Sequence, residues 1–516
     1  MRKALNIALI AILIMILGAC SGTPETVEVT RVVTETVIET VVQEVEVTRM
    51  VEGEVVTETI IEEVEVTRVV EVEAEAAPVD ETGPRTLTIF TTEADPPQLE
   101  ILNEIIDEYH EENPNVFVDV VTGTPATRGE RIATLLAAGA DAGIFEMEAA
   151  FANDWAEAGF LLPLDDVFEG IGGEAEYVPG SYYEKDGTVY GIPYATSVYG
   201  LWIRTDLFEE AGLEPPTNYE EVLAAAEILN NPSEGIYGIA IPGSTNASVN
   251  FFSTYLWNNC LDYYSPTGEF RFDEPEVLDA INQWVALTEF APPGFENWSW
   301  GDQVTAFVSG QAAMSVYAGR LGVRMPEQAP QLEPISDIIR LPWSNTDDSD
   351  YVTYGSWSRF AIANNTAYPE TAKDFLQFFL SGDRLARYDA TVIGHMVPPT
   401  NEVGALLEGW DSDYARNHSD WLAFFNEHAA FTNHPANNMG SMQGCDFVKH
   451  DYGPPWGGAV FSRGGILDLM LQEIYIGGKD TETAWQEAIE QMVQVQEDWL
   501  AEHPDWVPPE APQASN

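Results

Sequence analysis

The stretch "RTLTIFTTEADPPQLEILNEIIDEYHEENPNVFVDVVTG" at residues 85–123 decides the fold class of this chain. Its β-branched runs predict strands at Leu87–Thr91 and Val116–Thr122. Between them, apolar side chains recur at helical spacing over Gln98–Glu112, and the pair Asn113-Pro114 ends this helix. A strand, a helix and a strand of these lengths predict a right-handed βαβ unit with parallel strands.

The next segments repeat this alternation. Residues 128–139, "RGERIATLLAAG", predict a second helix, residues 142–148, "AGIFEME", predict a third strand, and a further helix follows near Asn153–Gly159. We therefore expect an α/β protein with a mainly parallel sheet flanked by helices. Because ligands of such sheets sit beyond the carboxyl ends of the strands, residues 91–93 and Phe145–Glu148 are expected near a cleft.

Length and charge narrow the class of protein. The 516 residues, 45% of them apolar, suffice for two domains and additional segments. The chain carries 85 acidic and 22 basic residues, a net charge of −63. So acidic a surface repels nucleic acid and anionic lipid, and neither is expected as a partner. We interpret the charge as adaptation of the surface to salt or acid, with steering of a cationic ligand as the alternative.

The N-terminal residues resemble a bacterial lipoprotein signal. A basic start, Met1-Arg2-Lys3, precedes an apolar run from Ala4 to Leu17 and the ending Leu-Gly-Ala-Cys. By this resemblance, residues 1–20 are a lipoprotein signal peptide, and Cys20 becomes the lipidated residue that anchors the protein to the outer face of the cell membrane. A plain signal anchor is the alternative. No later segment is apolar for about 18 residues, so no other membrane span is expected.

Residues 21–85 form a low-complexity stalk and linker with an internal repeat. "EVTRVV" at 28–33 returns as "EVTRMV" at 46–51 and as "EVTRVV" at 65–70. The β-branched residues favour extended structure, whereas apolar doublets every four to five residues fit a helix. A self-associating coil, a β-rich fibre and a charged extended tether all remain open. In each case the stalk is expected to hold the globular part away from the membrane.

Two further cysteines, Cys260 and Cys445, are candidates for a disulfide. Outside the cytoplasm two remaining cysteines often pair. Whether their Cα atoms lie close enough is left open by the sequence.

Four later segments carry a family resemblance when they are read in order. They are "WAEAGFLLPLDD" (155–166), "YGIPYATSVYGLWIRTDLFEEAGLEPPTNYEEV" (190–222), "AFVSGQAAMSVYAG" (306–319) and "RFAIANNTAYPETAKDFLQFFLSGD" (359–383). Together with the opening strand and helix, they resemble the extracellular solute-binding proteins of ABC importers, the group that includes the maltodextrin- and other sugar-binding lipoproteins. The resemblance spans roughly residues 86–505.

This resemblance implies a two-lobed, periplasmic-binding-protein-like fold of the type II kind, with the ligand cleft between two α/β lobes. Lobe one would comprise residues 86–196 and 350–395, lobe two residues 197–345 and 396–505, and residues 506–516 a C-terminal tail. The implied function is that of a receptor, not an enzyme. It closes on a small solute, most simply a sugar or oligosaccharide, and delivers it to the permease of an ABC transporter whose ATPase is a separate subunit.

Aromatic side chains are the main candidates for a sugar site, because sugars present C–H faces to aromatic rings and hydroxyls to carboxylates and arginines. "ENWSWGD" at 296–302 holds Trp298 and Trp300, which on an extended loop would face the same way. Core packing is the alternative for every aromatic candidate. The candidate ligand-binding residues are Thr92, Glu93, Glu146, Tyr199, Trp257, Trp298, Trp300, Tyr317, Arg320, Trp357 and Trp456.

Arg320 and Glu146 depart from the sugar-binding pattern, in which aromatic residues are common near both positions. An arginine and a carboxylate in the cleft could bind a sugar acid or an amino sugar, or could simply pair with each other. A non-sugar cationic ligand such as a polyamine is therefore kept as an alternative.

Motifs of catalysis and metal binding are missing from the sequence. No HExxH, GxSxG or CxxC is present, and we expect no catalytic residue, metal or cofactor. "DDSD" at 347–350 could hold calcium, but acidic turns are common in so acidic a chain. A secreted glycoside hydrolase, with paired carboxylates in an aromatic cleft, is the rival enzyme hypothesis. A self-associating surface protein is a third hypothesis, and it rests on the stalk repeats alone.

Overall fold

The computed structural model describes residues 34–51, 54–71, 83–125, 127–244, 247–344, 351–355, 357–434, 439–443, 445–447, 454–461 and 465–508. The chain divides into two compact units, Met1–Val79 and Asp80–Asn516. The signal segment with Cys20 and the acidic turn at 347–350 lie outside the described residues.

The described residues of the first unit form one antiparallel pair of strands. β1 (Thr34–Val51) and β2 (Glu54–Glu71) pair in register from Thr34 opposite Glu71 to Val51 opposite Glu54. Both strands are rich in Val, Ile and Thr, which fit extended backbone better than helix. Of helix and extended backbone, the described residues of the stalk adopt extended backbone, as a pair of antiparallel strands.

The second unit alternates strands and helices. Its strands are β3 (Arg85–Thr91), β4 (Val116–Thr122), β5 (Ile144–Glu146), β6 (Tyr183–Lys185), β7 (Thr188–Thr196), β8 (Gly200–Arg204), β9 (Tyr237–Ala240), β10 (Ala312–Tyr317), β11 (Ser336–Ile339), β12 (Thr353–Tyr354), β13 (Trp357–Ile362), β14 (Thr432–Asn433), β15 (Met442–Gln443) and β16 (Asp446–Phe447). Its helices are α1 (Pro96–Glu112), α2 (Arg128–Ala137), α3 (Ala152–Glu157), α4 (Asp165–Gly170), α5 (Gly173–Glu176), α6 (Thr205–Ala211), α7 (Tyr219–Leu229), α8 (Ala247–Trp257), α9 (Pro275–Thr288), α10 (Trp300–Val308), α11 (Arg320–Gln328), α12 (Pro369–Leu380), α13 (Asp383–Ala390), α14 (Asn401–Glu408), α15 (Asp413–Asn417), α16 (Ser419–His428), α17 (Gly457–Phe461), α18 (Ile466–Tyr475) and α19 (Thr481–Glu502).

The stretch at residues 85–123 forms the predicted βαβ unit. β3 and β4 pair in parallel, and α1 connects them. The helix begins at Pro96 and Pro97, where a missing backbone N–H removes no helical hydrogen bond. It buries Leu102, Ile105 and Tyr109, the side chains at helical spacing.

Two larger sheets organise the second unit. The first has the order β4-β3-β5-β13-β7-β6, and the second has the order β11-β8-β10-β9. Most strands of each sheet run in one direction, whereas β13 is antiparallel to β5 and β7, and β8 is antiparallel to β10 and β11. β8 and β13 each follow a passage of the chain from the other part of the second unit, and each runs antiparallel to both of its neighbours.

Each sheet has its own apolar core. Ile89, Ile144 and Phe375 belong to the core of the first sheet, and Trp202 and Met314 belong to that of the second. We call the two sheets with their helices the first and second lobes. Among the residues that the structure describes, no helix is long and apolar enough to cross a bilayer.

Helix α14 packs differently from the sequence interpretation. The sequence assigned residues 396–505 to lobe two, but Val403 and Leu407 of α14 lie in the core of the first lobe. Two backbone hydrogen bonds explain this position, because the chain before α14 pairs with β7: Thr196 and Val397 exchange N–H···O contacts of 2.8 Å in both directions. The segment at 391–398 therefore runs beside the passage from β7 to β8, where the chain crosses between the lobes.

Candidate functional site

A cluster of aromatic rings lies at the edge of the second lobe. Trp300, the first residue of α10, stacks on Tyr354 with ring centroids 5.5 Å apart and planes 6° apart. Tyr199 contacts both of these rings and also Tyr317 and Phe251. Tyr199, Tyr317 and Tyr354 are buried, whereas Trp300 is half-buried. This aromatic cluster therefore holds a half-buried indole that is stacked on Tyr354.

Arg128 and two glutamates form a charged group on the first lobe. The Arg128 guanidinium lies 2.8 Å from Glu148 Oε2 and 3.2 Å from Glu146 Oε2. Glu146 is 1% exposed and also accepts hydrogen bonds from the Thr91 hydroxyl at 2.5 Å, from Thr92 N–H and hydroxyl at 3.0 and 2.6 Å, and from the Tyr194 hydroxyl at 3.1 Å. The oxygens of Glu146 are thus fully used within the protein.

This charged group lies close to the aromatic cluster. Burial raises the pKa of Tyr354, and the charge of Glu148 raises it further, while Arg128 opposes this. The ring of His434 lies 5.7 Å from that of Tyr354. Burial lowers the pKa of His434 to about 4, although Glu148 opposes the shift, so the imidazole is neutral at pH 7. One end of the aromatic cluster thus combines an arginine–carboxylate pair with a neutral imidazole and a phenol.

A second charged group lies at the other end of the aromatic cluster, beside Tyr317. Arg320 pairs with Glu93 at 2.5 Å and with Asp95, and Arg324 pairs with Asp95 at 2.6 Å. The positive charge of Arg320 opposes the effect of burial on Tyr317, whose pKa burial raises to about 12. Arg128, Arg320 and Arg324 are therefore each paired with carboxylates of the protein.

The structure brings some of the predicted site residues together. Tyr199, Trp300 and Tyr317 form the aromatic cluster, and Glu93 and Arg320 form the charged group beside it. Thr92 holds Glu146 with both its N–H and its hydroxyl. Trp357, at the start of β13, is 8% exposed.

Other predicted site residues are enclosed by protein. Both carboxylate oxygens of Glu146 already accept hydrogen bonds from the protein. Trp257 is fully buried, and its indole N–H donates to Asp262. Trp456 is 3% exposed and packs against Tyr264 and two further tryptophans. These three side chains have almost no surface left for a ligand. Core packing, the alternative for the two tryptophans, therefore explains their positions.

The expectation that Trp298 and Trp300 face the same way is wrong. Ser299 and Asp302 form a capping box, which starts a helix at Trp300 where the sequence interpretation assumed an extended loop. Trp300 therefore joins the aromatic cluster, whereas Trp298 packs against Ala240, Ala306 and Ala312.

Two charged or ionisable residues of the site were missed as ligand candidates. Arg128 was placed on a predicted helix, and its position as the first helical residue after β4 was a usable signal, because that end of the helix meets the cleft edge. His434 carried no such signal, since it follows the two-residue strand β14. Glu148 falls within the range Phe145–Glu148 that is expected near a cleft, whereas no sequence pattern sets Tyr354 apart from the other aromatic residues.

A buried carboxylate and a disulfide fasten the segment that follows His434. Asp262 Oδ2 accepts from Ser441 N, Met442 N and the Trp257 indole at 2.8, 3.1 and 3.1 Å, and Oδ1 accepts from Tyr263 N and Gly440 N at 2.7 and 3.1 Å. The structure joins Cys260 and Cys445 in a disulfide with Cα atoms 4.4 Å apart. Gly440–Met442 and Cys445 are thereby tied to the second lobe.

Comparison with known proteins connects this architecture to a family. The family model of bacterial extracellular solute-binding proteins matches residues 94–383. The chain belongs to this family. Similar curated proteins include a putative ABC transporter periplasmic-binding protein of Escherichia coli, 24% identical over 61% of this chain and 73% of that protein, and a mannitol-binding protein of Pseudomonas aeruginosa, 25% identical over 58% and 70%.

Solved structures of solute-binding proteins share the fold. A solute-binding protein of Agrobacterium vitis with bound D-mannitol superposes with a TM-score of 0.64 at 18% identity, over 80% of this chain and 99% of that chain. A maltose-bound MalE3 of T. maritima gives 0.63 at 17% identity, over 80% and 100%. The family and these neighbours are binding proteins, and the family is extracytoplasmic.

Proposed function

We propose that this solute-binding protein is the receptor of an ABC importer for a neutral polyol or small sugar. The observation that carries the proposal is the stack of Trp300 on Tyr354, an indole face supported from behind and partly open to solvent. Such a face suits the C–H side of a sugar or polyol. The mannitol-binding relative and the neighbours with bound mannitol and maltose support the same class of ligand.

The charges around the cluster favour a neutral ligand. Arg128 is paired with Glu146 and Glu148, and Arg320 with Glu93 and Asp95. A charged ligand would have to separate one of these pairs to bind its own counter-charge. Hydroxyl groups, in contrast, can add hydrogen bonds to paired arginines and carboxylates without displacing them.

The ligand-binding residues in this proposal are Trp300, Tyr199, Tyr317 and Tyr354 on the second lobe and Arg128 and Glu148 on the first. Trp357, whose indole N–H is buried and has no hydrogen-bond partner among the described residues, is kept as a further candidate. The lobes in this proposal are those predicted from the sequence, except that α14 moves to the first lobe and Tyr354 to the second.

The wider setting follows from the same proposal. The closed receptor would dock on permease subunits served by a separate ATPase, and lipidated Cys20 would tether it through the stalk to the outer face of the cell membrane. The permease and the ATPase are expected from the family, and the lipid anchor is expected from the N-terminal sequence. Labelling of the chain with a lipid precursor in cells would test the anchor.

Calorimetric titration of the purified chain tests the ligand class. Mannitol, ribitol, maltose and laminaribiose represent neutral ligands, while gluconate and spermidine represent anions and cations. We expect saturable binding to at least one neutral compound and none to the charged ones. Binding to spermidine or gluconate in the absence of any neutral ligand would refute the proposal. Hydrolysis of an oligosaccharide during the titration would favour the enzyme hypothesis instead.

The variant Trp300→Ala tests the site itself. Loss of a stacking face is expected to weaken the binding of the neutral ligand by about 10- to 100-fold. Trp298→Ala is the matched control, because the same residue type two positions away packs against three alanines outside the aromatic cluster. Equal losses in the two variants would show that Trp300 acts through folding and not through ligand contact.

A further inference from the structure

Two arginines of the second lobe pair with two carboxylates of the first lobe. Arg320 and Arg324 belong to α11, which follows β10, and Glu93 and Asp95 lie in the loop after β3. Arg320 contacts both carboxylates, and Arg324 contacts Asp95. We call these four residues the interlobe cluster. It connects the two sheets through at least three ion pairs.

The interlobe cluster is shielded from water. Its side chains are between 16% and 27% exposed. Gln98, which is fully buried on α1, donates to Glu93 at 2.8 Å and accepts from Arg320 at 3.4 Å. Shielded pairs that are held by additional hydrogen bonds are stronger than pairs on an open surface. The cluster therefore differs from the exposed pairs that contribute little elsewhere on the chain.

The cluster also lies beside the passages of the chain between the lobes. A side-chain carbon added to Gly319 would lie 2.2 Å from the carbonyl oxygen of Gly394, so the residue before α11 packs directly on the segment at 391–398. Rotation of one lobe against the other about these passages changes the distance between α11 and the loop after β3. The ion pairs must respond to any such rotation.

Apolar packing on the other face of the same segment is incomplete. A cavity of about 410 Å³ is lined by residues 393–394 and 396–398, by Leu407 of α14 and by Leu422 of α16. α14 packs in the core of the first lobe, and α16 contributes Trp421 to that of the second. A half-open pocket thus lies between α14 of the first lobe and α16 of the second.

We propose that the interlobe cluster is a salt-sensitive latch that stabilises the lobe arrangement seen here and so raises ligand affinity without contacting the ligand. A lobe rotation that separates Arg320 from the loop after β3 breaks two ion pairs at once. When part of the protein is already in the binding-competent arrangement, less of the binding free energy is spent on closure. Only the effect on affinity rests on the proposed function, because the latch itself is a property of the ligand-free chain.

Electron–electron distance measurements on the full-length chain test the latch without any ligand. Spin labels at the exposed positions Asp107 and Glu227 report the separation of the two lobes. We expect Arg320→Met to shift the ligand-free distance distribution, and 1 M NaCl to produce a smaller shift in the same direction in the wild type, because salt screens the charges that lobe separation exposes to solvent more than it screens the shielded pairs. Salt should then have no further effect on Arg320→Met. Distributions that are unchanged by the substitution and by salt would overturn the proposal.

The matched control is Arg387→Met. Arg387 has a similar exposure, 22%, and pairs with Glu104, Glu108 and Asp383, all in the first lobe. Its loss removes an arginine and its ion pairs without uncoupling the lobes, so the distance distribution should remain that of the wild type. If Arg320→Met does not fold, Glu93→Gln and the salt titration of the wild type give the same readout.

Ligand affinity provides the second readout. For the neutral compound that binds the wild type, we expect Arg320→Met to raise the Kd about tenfold and the charge swap Glu93→Arg with Arg320→Glu to recover part of the loss. A weaker affinity with unchanged ligand-free distances would mean that Arg320 contacts the ligand, and the latch would be refuted. Absence of any neutral ligand would refute the proposed function, while the distance measurement would still decide the latch.

Discussion

Asp262 is the side chain whose replacement should most clearly reveal how the segment after His434 is held. Its carboxylate is fully buried and accepts five N–H groups, three on Oδ2 and two on Oδ1. The substitution Asp262→Asn keeps the shape but replaces one oxygen by an NH₂ group. If the amide oxygen takes the position of Oδ2, the NH₂ faces the N–H groups of Tyr263 and Gly440.

The magnitude follows from these two donors. Leaving a buried donor without an acceptor costs about 1–3 kcal/mol, so Asp262→Asn should lower the free energy of unfolding by about 2–6 kcal/mol. Equilibrium unfolding in urea, followed by tryptophan fluorescence with the disulfide intact, measures this loss. The control is Asp279→Asn, a change at an exposed position of α9 that should stay within about 0.5 kcal/mol.

One result would refute this reasoning about Asp262. If Asp262→Asn unfolds within about 0.5 kcal/mol of the wild type, the five N–H groups do not depend on the carboxylate. Segment 440–442 would then be held by its neighbours alone. A large loss in both Asp262→Asn and Asp279→Asn would likewise remove the case for a specific anchor.

Two further predictions concern the disulfide and a second buried acid. Replacing Cys260 and Cys445 by serine should lower the free energy of unfolding in urea by about 2–5 kcal/mol. When these replacements are combined with Asp262→Asn, the total loss should be smaller than the sum of the separate losses, because both changes release the same segment. Additive losses would contradict this expectation. Asp389 is fully buried with neither carboxyl oxygen hydrogen-bonded to a described residue, and burial, then Glu93, raises its pKa well above the ordinary value. The folded state therefore binds the carboxyl proton of Asp389 more tightly than the unfolded state does. As the pH rises above about 4, Asp389 therefore lowers the free energy of unfolding. Calorimetry should therefore show the Tm of Asp389→Asn rising relative to wild type from pH 4.5 to pH 8, and a pH-independent difference would be the contrary result.

Local patterns in the sequence predicted the elements of the first lobe well. The helix at Pro96–Glu112 and the strand at Val116–Thr122 depend on spacing within a few turns, and both appear within two residues of the predicted bounds. Trp298 and Trp300 show where local reasoning failed although the signal was present. The serine and aspartate at 299 and 302 are the start of a helix, and this start sends the two indoles to different neighbours.

The charged parts of the site could not be predicted in the same way. Arg320 meets Asp95 and Glu93 across 225 and 227 positions of sequence, and their contact depends on how the two lobes are placed against each other. In a chain with 85 acidic residues, composition gives no preference for one pair of carboxylates over another. The sequence could therefore pose the choice between a ligand contact and an internal ion pair for Arg320, but it could not decide it.

The free energies of these ion pairs support the proposed neutral solute over a charged one. Removing one partner from a buried ion pair costs about 3–5 kcal/mol, whereas a hydrogen bond to a charged group contributes about 1.5–3 kcal/mol. An anionic ligand that drew Arg128 away from Glu148, or a cation that drew Glu93 away from Arg320, would therefore lose more than it gained. A polyol hydroxyl leaves both pairs intact and adds its contacts to them. The arginine that first suggested a sugar acid thus becomes, through its partners, an argument for an uncharged sugar.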